Sequence, residues 1–172
     1  NKLHMYYMLV SLSVDIDKEY TYDEAKKIVI KALSVFGETY IDDLKKAFNN
    51  RWIDAYETKG KRSGAYATGC YDVHPYVLLN YHDKYKDVST LAHEMGHAMH
   101  KYYSVSNQDY YYSGNAIFVA EIASTVNEIL LSLYMLKNSK SINEKKSIIN
   151  ELLDDVKSTV FRQTICRIWT RY

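Results

Sequence analysis

The sequence predicts a mainly α-helical, multihelical fold with a short β-hairpin or small sheet before its central helix. Two observations predict this class. The 172 residues contain one proline and six glycines, which is sparse for a protein built from many tight turns. Apolar residues also recur at intervals of three and four positions over several long segments, the spacing of one helical face.

Two helices are predicted near the N-terminus. The first spans Asp23 to Val35, where apolar residues recur at helical spacing, and Gly37 follows where a left-handed residue would end it. The second runs from about Glu38 to Arg51. We assign the first helix a scaffold role only.

The segment between residues 60 and 81 has a different character. Gly64 and Gly69 interrupt it, Pro75 is incompatible with a helix interior, and the residues that follow this proline are typical of a strand. We therefore predict two short strands here. The stretch 76–80 could also offer its backbone groups to an extended peptide.

Three helices complete the predicted fold. Asp87 or Ser89 can cap a helix whose apolar residues lie on one face. A long apolar helix is expected from about Asn115 to Leu136, and an amphipathic one from about Ile142 to Phe161. The stripe of the last helix is predicted to pack in the core; it comprises Ile149, Leu152, Leu153, Val156 and Val160.

Composition argues against two classes of partner. The 22 Lys and Arg residues nearly balance 21 Asp and Glu, so there is no basic field to attract nucleic acid. The apolar run 129–136 is interrupted by Ser132 and is too short for a bilayer core of roughly 30 Å, so no membrane association is expected. Two distant cysteines and the lack of a leader pattern favour a cytoplasmic location.

A metal-binding motif lies on the central helix. His93-Glu94-Met95-Gly96-His97 is HExxH, which puts two imidazoles on one helical face within reach of one ion. One Zn²⁺ is the fitting cofactor. Glu94, beside the first ligand, could take a proton from a zinc-bound water whose pKa is lowered toward 7. The alternative is a chance HExxH on an ordinary helix.

A catalytic zinc site needs a third protein ligand, and Glu121 is the candidate. It stands in an apolar segment of the long helix, where a buried carboxylate would need a partner. That partner could be the zinc ion or, alternatively, a buried Lys or Arg. Glu128 lies two helical turns later and could orient His93 or His97; a solvated or ion-paired glutamate is an equal alternative.

Four segments, in the same order, resemble the oligoendopeptidase F branch of the thimet oligopeptidase family of zinc metallopeptidases. They are residues 60–66 (GKRSGAY), 75–81 (PYVLLNY), 90–97 (TLAHEMGH) and 118–124 (FVAEIAS). The resemblance extends roughly from Lys18 to Gln163. It implies a zincin-like metallopeptidase core of the gluzincin type that cleaves short oligopeptides. It also implies the site roles: His93, His97 and Glu121 as zinc ligands, and Glu94 as general base.

Relative to that family, residues 1–172 are expected to form a single partial catalytic domain, truncated at both ends. Its partners would be short peptide substrates and the remaining parts of the full-length enzyme. The family's histidine and tyrosine side chains that stabilise the oxyanion follow the resembling stretch and have no counterpart here. The alternative function is therefore a catalytically incomplete fragment that binds zinc or a partner chain without turnover.

Overall fold

The computed structural model describes residues 18–114 and 116–169, and the predicted fold class is confirmed: helices dominate and a small sheet precedes the longest one. The described residues form two compact units, 18–134 and 135–169. The single partial domain over 1–172 stays a prediction.

The helices are α1 Tyr22–Ala32, α2 Glu38–Asn49, α3 Tyr85–Asn107, α4 Ile117–Asn138, α5 Ile142–Val156 and α6 Arg162–Trp169, and the strands are β1 Ile53–Asp54, β2 Tyr66–Thr68 and β3 Tyr76–Leu78.

The first helix is defined by its caps. The Thr21 hydroxyl accepts from the Glu24 N–H at 3.4 Å, and the Glu24 carboxylate accepts from the Thr21 N–H at 3.1 Å, which satisfies two N–H groups that the helix itself cannot pair. The α-helix ends at Ala32, earlier than predicted, and continues as a 3₁₀ turn. Gly37 has φ +90° and separates this turn from α2, as its position predicted.

The sheet has three strands in the order β1-β3-β2. β1 pairs with β3 in parallel and β2 pairs with it antiparallel; Val77 faces both Ile53 and Ala67. The strand β1 was not predicted, because two residues carry no periodic signal. Since β3 is central in the described sheet, its backbone is already paired and cannot receive a peptide. β2 is the strand at the edge beside α3.

The core of the first unit is built around α3, which packs against α1 and β2. Its buried apolar residues lie at helical spacing: Val88, Leu91, Ala92, Met95, Ala98 and Met99. The predicted cap is wrong by one turn, because α3 begins at Tyr85. The Asp87 carboxylate accepts from the backbone N–H groups of His82 and Lys84, so it caps the helix from inside the first turn, and Ser89 is buried within the helix.

Among the described helices, α4 is the one that is long and apolar enough to cross a membrane by length and composition. The expectation of no membrane association rests on the shorter run 129–136. Polar residues of α4 nevertheless face α3: Asn127 is 2% exposed, and its amide donates to the Ala92 carbonyl at 3.0 Å. This buried hydrogen bond ties the two helices together.

The second unit contains the end of α4, then α5, a π-helical turn at Lys157–Phe161 and α6. The predicted core stripe of the last helix is wrong for most of its members: Ile149, Leu153 and Val156 of α5 and Val160 of the π-helical turn are exposed, whereas Ile148 of α5 is buried. Periodicity identifies an apolar face, but burial requires another element to cover it.

Asp43 connects α2 to α3. Its carboxylate accepts from Lys46 Nζ at 2.9 Å and from the Tyr103 hydroxyl at 3.0 Å. The Lys46 hydrogen bond lowers the Asp43 pKa, partial burial opposes this, and the Tyr103 hydrogen bond lowers the pKa further. The ionised carboxylate is thus the form that the folded state favours.

We expect Asp43→Asn to lower the free energy of unfolding at pH 7 by about 1 kcal/mol, because an ionised acceptor is lost. A depressed folded-state pKa contributes stability above the unfolded-state value of 3.8, and this contribution disappears as the pH falls through the folded-state pKa. Urea unfolding at pH 7 and at acid pH measures the difference. The control is Asp42→Asn, since Asp42 is exposed and pairs only within α2; equal effects at both positions would contradict the assignment.

Candidate metal centre

Three potential ligand atoms converge between α3 and α4. The Nε2 atoms of His93 and His97 lie 3.1 Å apart, and each lies 3.7 Å from Oε2 of Glu121. A tetrahedral Zn²⁺ with bonds of about 2.0 to 2.1 Å holds its ligand atoms about 3.3 Å from one another. The donor set and its spacing therefore fit one such ion, and the three predicted ligands are brought together.

The convergence depends on how closely the two helices cross. A Cβ atom added at Gly96 would lie 2.6 Å from the Ser124 Cα and 2.7 Å from the Ala123 carbonyl oxygen. No side chain larger than hydrogen fits between the helices at this point. Gly96 stands between the two histidines in sequence, so this close approach occurs beside the ligands themselves.

Two hydrogen bonds orient the ligands. Nδ1 of His93 lies 3.2 Å from Oε1 of Glu128, so a proton on Nδ1 leaves the Nε2 lone pair directed toward Glu121 and His97. Ser124 is fully buried, and its hydroxyl donates to Oε2 of Glu121 at 3.1 Å. Glu128 was expected to orient either His93 or His97, and in the structure it contacts His93.

Glu121 occupies the predicted place but not the predicted environment. Its side chain is 51% exposed, so the expectation of a buried carboxylate is wrong. Its ion contacts within the described residues are to the two histidines and not to Lys or Arg. The exposed position leaves one side of the three ligand atoms open toward solvent, as a catalytic metal site requires.

Glu94 lies next to the ligands and is 7% exposed. Its Oε2 atom is buried without a hydrogen-bond partner among the described residues. Burial raises the Glu94 pKa; the neighbouring His93 lowers it, Glu121 raises it, and a backbone hydrogen bond from Ala67 lowers it. A bound cation would also lower it. An unpaired buried carboxylate oxygen is what a proton-accepting group beside a water site needs.

The two histidines have different electrostatic environments. Burial lowers the His93 pKa. The hydrogen bond with Glu128 and the negative charges of Glu128, Glu94 and Glu121 have a larger opposite effect, so the His93 pKa is raised overall. Burial and the charge of His93 lower the pKa of His97. Three carboxylates therefore surround two imidazoles, and this excess of negative charge favours a bound cation.

A cleft of about 320 Å³ opens beside these ligands. The end of β2, α3 and the start of α4 form its walls. Its lining residues are Ala67, Thr68, Gly69, Pro75, His97, Ala98, Lys101, Ile117, Ala120 and Glu121. The cleft is large enough to hold part of a small ligand next to the candidate metal position.

Sequence reasoning missed three residues that shape this site. In the sequence, Gly96 occupies a variable position of HExxH, Ser124 ends an apolar segment, and Lys101 follows the motif by four residues. A glycine between two ligands on a helix is itself a signal of close approach. Nothing in the sequence indicated that Lys101 would line a cleft with Glu121.

Comparison with known proteins places residues 10–168 within the sequence model of peptidase family M3. This match extends beyond the resemblance seen in the sequence, which ran to Gln163. Oligopeptidase PepF of Bacillus subtilis is 44% identical over 165 residues, and Group B oligopeptidase PepB of Streptococcus agalactiae is 45% identical over 162. These alignments cover 96% and 94% of this chain but 25% and 27% of the relatives. The chain thus spans about a quarter of their length.

Solved structures agree with the fold. The crystal structure of a candidate peptidase from Chlamydophila abortus is 49% identical with a TM-score of 0.83, and covers 93% of this chain and 27% of that one. A candidate oligoendopeptidase F from Bacillus anthracis is 20% identical with a TM-score of 0.61; it covers 85% of this chain and 25% of that one. The second likeness concerns the fold alone.

We expect Gly96→Ala to separate α3 from α4, because the new methyl group would overlap the Ser124 backbone. Overpacking of this kind typically lowers the free energy of unfolding by about 1 to 3 kcal/mol. Displacement of Glu121 from the histidines should also weaken Zn²⁺ binding roughly tenfold. Thermal unfolding and competitive zinc titration measure the two effects. Gly114→Ala is the matched control, since a Cβ there meets nothing within 4 Å; unchanged zinc affinity in Gly96→Ala would contradict the role.

Proposed function

Because the chain belongs to peptidase family M3, we propose that it hydrolyses peptide bonds of short oligopeptides as a zinc-dependent metalloendopeptidase. The observation that carries the proposal is the convergence of His93, His97 and Glu121 beside the buried carboxylate of Glu94. Two imidazoles and one carboxylate are a ligand set that catalytic zinc uses. The names of the two relatives, both oligopeptidases, support the substrate class.

The chemistry divides between the ion and the chain. Zn²⁺ held by the three ligands would supply Lewis-acid chemistry, lowering the pKa of water and polarising a peptide carbonyl. Glu94 would accept a proton from the attacking water and deliver it to the departing amine nitrogen. Its unpaired Oε2 atom is free for this proton. Glu128 would hold the His93 ring in the orientation that directs Nε2 at the ion.

The peptide would bind along β2. This strand lies at the edge of the described sheet, and Ala67 at its centre lines the cleft together with His97 and Glu121. An extended peptide that pairs with a strand edge is recognised through its backbone, which permits many sequences. A substrate strand at this edge would run past the ligand atoms.

We expect Glu94→Gln to lower kcat/KM for a quenched fluorescent peptide by about 10²- to 10⁴-fold, because the amide cannot accept the water proton. Zinc content, measured by elemental analysis, should stay near one ion per chain, since Glu94 is not a ligand. Chelation should abolish hydrolysis by the unaltered chain. Glu57→Gln, an exposed loop position, is the control. Full hydrolysis by zinc-loaded Glu94→Gln would exclude the proposed base.

We expect Glu128→Gln to weaken zinc binding by about 10- to 100-fold while leaving one zinc site, because the neutral amide orients His93 less strongly. Competitive titration with a chromogenic chelator gives the affinity. The matched control is Glu151→Gln on α5, outside the unit that carries the ligands. An affinity equal to that of the unaltered chain would show that Glu128 is only an ion-pair partner.

A second candidate function is zinc or partner-chain binding without turnover. The observation that favours it is a stripe of exposed apolar side chains on α4, which an isolated soluble unit rarely displays. The stripe comprises Phe118, Ile122, Val126, Ile129 and Leu133. Stoichiometric zinc with no detectable hydrolysis by the unaltered chain would support this candidate over the first.

A further inference from the structure

One cation lines the cleft beside the candidate metal ligands. Lys101 stands one helical turn after His97 on α3, on the same face of the helix. The other lining residues of this cleft are uncharged, apart from Glu121 and His97 at its metal side. Lys101 is therefore the positive group of the cleft wall.

The methylene chain of Lys101 packs closely against the segment that follows β2. A Cβ atom added at Gly69 would lie 3.3 Å from Lys101 Cγ and 3.4 Å from Pro75 Cα, so the methylene chain passes closely along the segment after β2. This packing restricts the freedom of the stem of a residue that lines the cleft.

The ammonium group has a weak partner. Nζ lies 3.3 Å from the Ser113 carbonyl oxygen, at the long end of the hydrogen-bond range. Within the part of the chain that the structure describes, no carboxylate lies at salt-bridge distance from Lys101. An ammonium with three donors and a single neutral acceptor can still bind an anion.

Resting on the proposed peptidase function, we propose that Lys101 determines specificity by binding a carboxylate of the peptide substrate. Side chains one helical turn apart have Cβ atoms about 5 to 6 Å apart. An extended peptide advances about 3.3 Å per residue. When the scissile peptide bond of the substrate lies beside His97, a carboxylate one or two residues away from that bond is therefore within reach of the Lys101 ammonium. It can be the C-terminal α-carboxylate or an Asp or Glu side chain.

The test compares peptide binding to zinc-loaded Glu94→Gln with binding to the double variant Glu94→Gln/Lys101→Met. Fluorescence anisotropy would use one labelled peptide in three forms: a free C-terminus, an amidated C-terminus, and an amidated C-terminus with one internal Glu. We expect Lys101 to favour at least one carboxylate form about five- to tenfold over the neutral form. Methionine keeps the stem and should abolish this preference with little change for the neutral peptide.

Further variants separate charge from structure. Lys101→Arg should retain the preference and Lys101→Gln should lose it, so the inference remains testable if the methionine variant misfolds. Lys31→Met, at an exposed position in the last turn of α1, is the control and should change nothing. The α-carboxylate is the ligand if only the free C-terminus is favoured, and a side chain is the ligand if the internal Glu is favoured.

Hydrolysis by the unaltered chain is measured in parallel and decides the proposed function by itself. A carboxylate preference that depends on Lys101, found without hydrolysis, would support the binding role and reject turnover. Equal preference with lysine and methionine at position 101 would overturn the inference, as would the absence of binding by all three peptides.

Discussion

The close crossing of α3 and α4 at Gly96 is the constraint on which the candidate site depends. The two histidines are on one helix and Glu121 is on the other, so the ligand atoms can meet only if the helix backbones approach closely. Gly96 permits that approach, and the buried hydrogen bond from Asn127 to Ala92 secures it. Ligand spacing is thus a consequence of helix packing.

The same crossing explains how α4, a largely apolar helix, can contribute polar groups to the candidate site. By composition this helix resembles a membrane span. Several of its polar side chains, however, lie on the side that meets α3, where Asn127 is buried, Glu128 contacts His93 and Ser124 donates to Glu121. A helix with this arrangement carries its function on a narrow polar strip. Leu131 and Met135 of the same helix are also buried, whereas the apolar stripe from Phe118 to Leu133 is exposed.

Charge is distributed unevenly around the cleft. Carboxylates gather at the ligand end, where they favour a cation and raise the pKa of His93, and one of them, Glu94, has an unpaired buried oxygen. Lys101 introduces the opposite charge on the wall beside His97. The negative end is suited to hold a metal and accept protons, and the positive wall is suited to select an anionic part of a peptide.

The sequence by itself predicted the mainly helical class, the HExxH histidines on one helical face and Glu121 as the candidate third ligand, but it left open whether Glu128 orients a histidine or is solvated. The first two features rest on local periodicity, which every helix expresses without reference to the rest of the chain. Only the tertiary structure decided which faces meet. It made β3 central and β2 the edge strand, left Glu121 half exposed and the α5 stripe uncovered, and brought Lys101 into the cleft. Burial and edge position depend on neighbours distant in sequence, and a local pattern cannot specify those neighbours.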